Sequence, residues 1–315
     1  MGHRKHGQGE NGKDPIYWRT NSDYHPWVSL VFDRIRGSSI NTALRRLPFG
    51  DRLIQLLISK EARKRFYAHF QLTQEKVNKR LAESSPRPDF MDVMTKKSGD
   101  MQFSFAELLD NASLLILAGS ETTATTLCGV TFLLLTHQAV LAKATDEVRS
   151  SFSTKIEIDL LSVQKLDYML AVLQETLRMY PPVPTAIPRK AQSGGDLICG
   201  KYVPENTLLG IWQWSMYHSA KNFTLPDSFI PERWLGDARF SSDPEGVLQP
   251  FSFGPRNCIG KNLAYAEMRL ILAKILWNFD ISLQPDSAYW LQENRAYSLW
   301  QKPNLNIYIK PRTIE

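Results

Sequence analysis

The sequence predicts a mainly α-helical protein with small β-sheets, and three observations lead there. Of eighteen prolines only five precede Pro181, and thirteen lie from Pro181 onward. Proline inside a helix removes a hydrogen bond and clashes with the preceding turn, so long helices belong to the first part. Turns, loops and short strands belong to the second. Apolar residues also recur at helical spacing over long stretches of the first part. Near the C-terminus, apolar and polar residues alternate over 279–283 and 305–309, as in strands.

Residues 1–21 hold Gly, His and charge with no apolar run, and read as a disordered tail; residues 22–315 form one domain. Val28–Ile35 reads as a helix and Asn41–Leu47 as a connecting segment ending at Pro48. Asp51–Leu81 reads as one amphipathic helix with Leu53, Leu56, Leu57, Ala62, Phe66 and Phe70 near one face. The stretch SSPRPDF, 84–90, reads as a linker. Ser104 with Glu107 makes a capping box ahead of a long helix over about 104–136. Further helices are expected over Gln138–Ser151 and Leu166–Met179, the latter stopped by Pro181 and Pro182. Short strands are expected over Leu197–Val203, Thr207–Ile211, Phe279–Leu283 and Leu305–Ile309.

With 315 residues, 43% of them hydrophobic, the chain can bury a sizeable core. Three separated cysteines give no disulfide framework, which suits a reducing compartment. The net charge of +6 is mild and its lysines and arginines are interspersed with acids, so no nucleic-acid groove is expected. Six histidines show no zinc-ligand spacing. The longest apolar stretch, Ala112–Leu135, carries Glu121 and many small polar residues, and reads as a buried helix of a soluble protein rather than a membrane span.

The richest motif is FSFGPRNCIG, residues 251–260. Gly254 and Gly260 let the backbone bend and let a bulky ligand come close. Pro255 stiffens the turn, Arg256 offers a five-donor fork for a carboxylate, and Cys258 offers sulfur. Asn262–Leu272 reads as a helix, so Cys258 lies just before a helix N-terminus, where a thiolate is favoured. Taken alone, Cys258 is more simply a buried structural thiol. The spacing of Phe251, Gly254, Arg256, Cys258 and Gly260 suits an iron ligand beside a group that bears carboxylates, as haem does. Cys128 and Cys199 fit no motif.

Three further motifs carry chemistry. In AGSETT, 118–123, Ala118 and Gly119 are small enough for a planar cofactor to lie against the helix. Thr122 can take a hydrogen bond that would otherwise close the helix, leaving room for dioxygen and a water, and Glu121 supplies an ionisable group for proton relay. The alternative is a packing notch of small residues. Glu175 and Arg178 stand at i, i+3 on an apolar helix that buries them, and a buried pair needs further partners. Arg233, in PERW at 231–234, is the expected third member. Arg189 follows PPVPTAIP and is either a cofactor contact or a solvated turn charge.

In this order, the four motifs resemble those of the cytochrome P-450 monooxygenases, and the chain from about Ser22 looks most like the fungal enzymes of secondary metabolism. The resemblance implies the C-terminal part of that fold and haem b ligated by Cys258. It implies electrons from NADPH through a partner reductase, and one oxygen atom inserted into a lipophilic terpenoid, polyketide or alkaloid-like substrate. It further implies that Arg189 meets a haem propionate and that Val183–Ile187 line the substrate site. Relatives of this kind sit on the cytosolic face of the endoplasmic reticulum through an N-terminal helix. The family's anchor, part of its sheet and its Trp-x-x-x-Arg helix have no counterpart here, since no tryptophan has an arginine four residues on. A truncated product or misplaced start is the expectation, with a cytoplasmic or peripheral location. Peripheral membrane contact through IRGSSINTALRRLPFGDRLIQLLI is one possibility and a solvated helix the other. A haem-thiolate isomerase that needs no reductase, and a fragment unable to hold haem, remain as competing readings.

Overall fold

The computed structural model describes residues 26–57, 60–83, 89–96 and 102–313. The tail expected at 1–21 and most of the linker at 84–90 fall outside them. Helices α1 (Pro26–Leu44), α2 (Gly50–Leu57), α3 (Lys60–Ala82) and α4 (Phe90–Thr95) precede the long α5 (Phe105–Thr136). Then come α6 (Gln138–Ser151), α7 (Asp167–Met179), α8 (Gln213–Tyr217), α9 (Lys261–Asn278) and α10 (Trp290–Glu293). The expected connecting segment at 41–47 is largely helix: with no proline between Pro26 and Pro48, α1 runs through Gly37 to Leu44. The helix expected over 51–81 is described as α2 and α3, on either side of residues 58–59.

Of its expected apolar face, Leu53 and Phe70 are exposed, while Leu56, Leu57, Ala62 and Phe66 lie outside the residues whose side chains are described. Among the described side chains of α3, Thr73 and Val77 are buried, Val77 against Leu109 and Ala112 of α5. The capping box of α5 forms as expected, with Ser104 N–H donating to Glu107 Oε2 at 2.7 Å and Glu107 N–H to Ser104 Oγ at 3.3 Å. The Ser104 N–H, and then the Ser104 hydroxyl at 2.8 Å, donate to the Glu107 carboxylate and hold it below its usual range. Burial of α5 is uneven. Its C-terminal half is core, whereas Leu114, Ile116, Ala118 and Gly119 are exposed, so the helix is not sealed along its length.

The main core lies where α5, α6, α7 and α9 meet, through Val130, Leu134, Val148, Val172, Leu173, Met268, Leu272 and Trp277. Full burial of each such side chain contributes about 1.5–3 kcal/mol. From α6, Glu147 caps α7 in space, accepting the Tyr168 and Met169 N–H groups at 2.7 and 2.8 Å. A second cluster joins Phe132 of α5 to Tyr180, Trp290 and Trp300.

The strands form four separate antiparallel pairs among the described residues: β1 (Arg189–Lys190) with β4 (Leu208–Leu209), β2 (Asp196–Ile198) with β3 (Lys201–Val203), β5 (Phe279–Leu283) with β8 (Ile307–Pro311), and β6 (Arg295–Tyr297) with β7 (Leu299–Gln301). The strand expected over Leu197–Val203 is a hairpin, because Cys199 and Gly200 both have positive φ (49° and 74°) and make its turn. Strand β8 starts two residues late: Leu305 packs against the tryptophan cluster and Asn306 N–H donates to Ser287 Oγ at 2.9 Å.

Candidate active site

The site is built outward from α7. Its apolar face buries Glu175 and Arg178 completely, both at 0% exposure. They meet in a two-bond fork: Arg178 Nε donates to Glu175 Oε2 at 2.9 Å and Nη2 to Oε1 at 2.8 Å. The other Arg178 protons go to the carbonyls of Tyr217, Pro226 and Ser228 at 2.9, 2.6 and 2.9 Å. Glu175 also accepts from Ile230 N–H at 3.1 Å and Trp234 Nε1 at 2.9 Å. Arg233 Nε stands 3.5 Å from Glu175 Oε2, so the expected third member is in place.

A fourth member escapes the motif reading. Asp243 takes a hydrogen bond from Arg233 Nη1 and another from Thr224 N–H at 2.8 Å, and is itself buried beside Arg233. Glu175, Arg178, Arg233 and Asp243 then carry two negative and two positive charges. A buried triad with one charge in excess is costly, so charge balance alone asks for an acid near Arg233.

This network reaches the cysteine loop through α8. Arg178 holds the Tyr217 carbonyl, and the buried Tyr217 hydroxyl accepts from Gln249 N–H at 3.0 Å. Gln213 Nε2, one turn earlier on α8, donates to Gln249 O at 3.3 Å. The backbone two residues before Phe251 is thus gripped on both sides. Burial, eased by the Gln249 bond, leaves the Tyr217 hydroxyl pKa pushed up to about 12.

Beyond Gln249 the loop closes on itself. Cys258 N–H donates to Phe251 O at 2.8 Å, Asn257 N–H to Gly254 O at 3.0 Å, and Phe251 packs on Tyr265 of α9 at 5.2 Å. Gly254 has φ +78°, which a side chain would strain. Gly260 lies in the turn that leads into α9, with φ −85° and ψ 6°, a conformation that does not itself demand a glycine; a Cβ there would stand in ordinary contact, 3.8 Å from Cys258 Sγ. The Cys258 thiol is free and exposed, and Arg256 is exposed nearby. Phe253 and Ile259 are 81% and 94% exposed beside it.

Helix α5 packs against α9 in the same core. On α5, Ala118 and Gly119 are exposed, and a Cβ at Gly119 would meet nothing within 4 Å. Thr122 Oγ1 donates to Ala118 O at 2.6 Å. That hydroxyl bond is made as expected, but the helix runs through it without a break, so no local opening accompanies it. Glu121 is buried and lies about 100° round the helix from Thr122. Arg189 on β1 is exposed and donates at 3.2 Å to the neighbouring Pro188 carbonyl. Among the described residues neither Arg189 nor Arg256 meets a carboxylate.

The family model for cytochrome P-450 matches residues 43–309. The chain belongs to the cytochrome P-450 family. It is 48% identical over 295 residues to a trichothecene C-15 hydroxylase of Fusarium sporotrichioides, covering 93% of this chain and 60% of that protein. It is 45% identical over 298 residues to an averantin hydroxylase of Dothistroma septosporum, covering 93% and 57%. The crystal structure of the cytochrome P-450DA haem domain superimposes with a TM-score of 0.74 at 21% identity, over 93% of this chain and 62% of that one, a likeness of fold. The chain thus spans about 60% of the length of the curated relatives it matches.

Haem-thiolate chemistry is the mark of a cytochrome P-450, and the residues present fit that group. Haem is a flat apolar ring with an iron and two carboxylates. The loop offers a free sulfur between two large exposed apolar side chains, α5 offers a face without bulk at Gly119, and Arg256 and Arg189 are two guanidinium groups without a carboxylate partner among the described residues.

Proposed function

We propose that this cytochrome P-450 chain carries the haem-thiolate core of a monooxygenase that inserts one oxygen atom of dioxygen into a lipophilic secondary metabolite. The observation that carries this reading is the exposed Cys258 thiol, set in a self-closed loop braced from the buried Glu175–Arg178 network. When bound, haem supplies dioxygen activation, which thiolate ligation favours by donating electron density. Cys258 would ligate the haem iron through its sulfur, and Arg256 and Arg189 would meet the two propionates. Phe251, by accepting the Cys258 N–H, fixes the backbone from which the sulfur projects. Gly254 makes the turn, and Gly260 keeps a methyl away from it. Ala118 and Gly119 would leave room for the ring against α5. Thr122 Oγ1, its proton engaged with Ala118 O, offers lone pairs to a water beside the helix, and Glu121 supplies protons to that water.

Electrons come from NADPH through a partner reductase. The substrate class is that of a terpenoid, polyketide or alkaloid-like intermediate, supported by relatives named for hydroxylating a trichothecene and averantin. Among the described residues no single helix is long and apolar enough to cross a membrane. Peripheral membrane contact is supported by the turn after α1, where Leu47 and Phe49 are exposed between Arg45, Arg46 and Arg52.

The test is to supply haem to the purified chain and reduce it under carbon monoxide. A thiolate-type Soret band is expected, lost in Cys258→Ala; a band that survives that substitution removes Cys258 from the role. Thr122→Ala should keep the band while product per NADPH falls and peroxide rises, and an unchanged yield would remove Thr122 from proton handling.

A further inference from the structure

A cleft of about 520 Å³ lies between the PERW segment, the approach to the cysteine loop and the first turns of α9. Its size is that of a small-molecule site. No residue of α5 lines it, and of the residues read above as meeting haem it shares only Phe251. Trp234, Phe240, Phe251 and Tyr265 stand in its wall. Each ring is fixed by a contact of its own. Trp234 Nε1 donates to Glu175 at 2.9 Å, Phe240 carries the Arg233 guanidinium at 4.2 Å, and Phe251 packs on Tyr265 at 5.2 Å. Rings already held in place need little ordering when a ligand arrives, so the cleft is preformed.

Both carboxylates that line the cleft are taken, and two cations beside it are not. Asp243 is paired with the buried Arg233, and Asp237 accepts from Arg239 Nη2 at 2.7 Å. Lys261, in the first turn of α9, lines the same cleft, is exposed, and meets no carboxylate among the described residues. Its Nζ stands 6.0 Å from the centre of the Phe251 ring. That first turn holds no acid and Gly260 supplies no side-chain cap, so the helix terminus adds positive potential where Lys261 stands. Two turns along the same face, the Arg269 guanidinium lies 5.6 Å from the centre of the Tyr265 ring. It too has no carboxylate partner among the described residues, and its buried Nε makes no hydrogen bond.

We propose that this cleft is a binding site for a planar aromatic carboxylate, its ring among the aromatic side chains and its carboxylate on Lys261. A ring-lined wall with one lysine at it suits a monoanion of that shape. A phosphate would bring more charge to a single exposed lysine and leave the rings unused. The site goes beyond the haem-thiolate reading and needs neither Cys258 nor haem. A ligand there would lie against Phe251, whose carbonyl closes the cysteine loop.

The test is isothermal titration calorimetry of the full chain with haem supplied, using 2-naphthoate and its uncharged analogue 2-naphthamide. 2-Naphthoate is expected to bind one-to-one and at least about tenfold more tightly than 2-naphthamide. Lys261→Met should remove that preference, and Lys261→Arg should keep most of it. Leu248 lines the cleft, so Leu248→Trp should fill it and abolish binding of both probes. If Leu248→Trp fails to fold, the exposed Lys261 and its two variants decide the matter. No saturable binding of 2-naphthoate, equal binding of the two probes, or a preference that survives Lys261→Met overturns the proposal. The haem-free Cys258→Ala chain should bind 2-naphthoate with the same affinity. Binding that disappears when haem is supplied would put 2-naphthoate in the haem's own place and also overturn the proposal. If haem itself fails to bind while 2-naphthoate binds as expected, the haem-thiolate reading falls and this one stands.

Discussion

Glu175 and Arg178 are 0% exposed, whereas Cys258 and Arg256, at the far end of the same bracing chain, are exposed. The two regions are linked through Tyr217 and Gln249, yet they satisfy their polar groups in opposite ways. Around Glu175 the contacts are internal: forked arginine, backbone carbonyls, an indole and a balancing acid. Around Cys258 the backbone is satisfied while the sulfur and the guanidinium are left to an outside partner. The difference separates stability from chemistry. A change in the sealed region should unfold the chain; a change in the open one should leave the fold and remove a ligand.

The largest effect is expected at Arg178. Arg178→Met strips the cation from a fully buried carboxylate, and breaking such a pair costs about 3–5 kcal/mol. Urea unfolding of the haem-free chain would show it, and a loss under about 1 kcal/mol would mean that the network is not what holds α7 to the segments around Tyr217 and Ser228. Asp243→Asn comes next. It keeps a side chain able to hydrogen-bond but removes the balancing charge, for a loss of about 1.5–3 kcal/mol. If Asp243→Asn were silent while Arg233→Met was not, the acid would be a bystander rather than the fourth member.

The middle of the comparison is sharpened by alkaline pH. The unfolded tyrosine ionises near 10. In the folded chain the Tyr217 hydroxyl is pushed up to about 12 by burial. The folded state therefore keeps a proton that the unfolded state has lost, so stability is intact below about pH 10 and falls as pH rises to about 12. The fall attributable to this group is on the order of 2 kcal/mol, and it should be absent in Tyr217→Phe, whose stability at neutral pH is lowered by the lost Gln249 bond. An identical alkaline slope in Tyr217→Phe would place the titration elsewhere, with the half-buried phenols of Tyr168 and Tyr265 raised in the same direction by burial.

The sealed and open regions also differ in how readable they are from sequence. Glu175, Arg178 and the α5 capping box are local patterns: partners three residues apart meet on a helix whatever the rest of the chain does. The stop of α7 before Pro181 follows from proline's missing N–H. Asp243 and Tyr217 act through partners 10 and 39 residues away (Asp243 with Arg233, Tyr217 with Arg178), and no spacing announces them. Asp243 has one usable signal, the unbalanced charge of the expected triad. The face of α3 is not legible locally because Val77 is buried by Leu109 and Ala112 on another helix. Gly260 lies in a turn as expected, but at φ −85° and ψ 6° the turn does not by itself require a glycine.

The smallest stability effect, and the largest functional one, is expected at Cys258. Its sulfur is exposed and free, and the bond that closes the loop runs from its backbone N–H to Phe251 O. Cys258→Ala keeps that N–H, removes a side-chain atom that touches solvent, and should change haem-free stability by less than about 0.5 kcal/mol. The same substitution should abolish the thiolate-type spectrum of the haem-supplied chain. If the haem-free Cys258→Ala chain instead lost several kcal/mol, Cys258 would belong to the packing of the loop, and the division between a sealed scaffold and an open ligand would no longer describe this molecule.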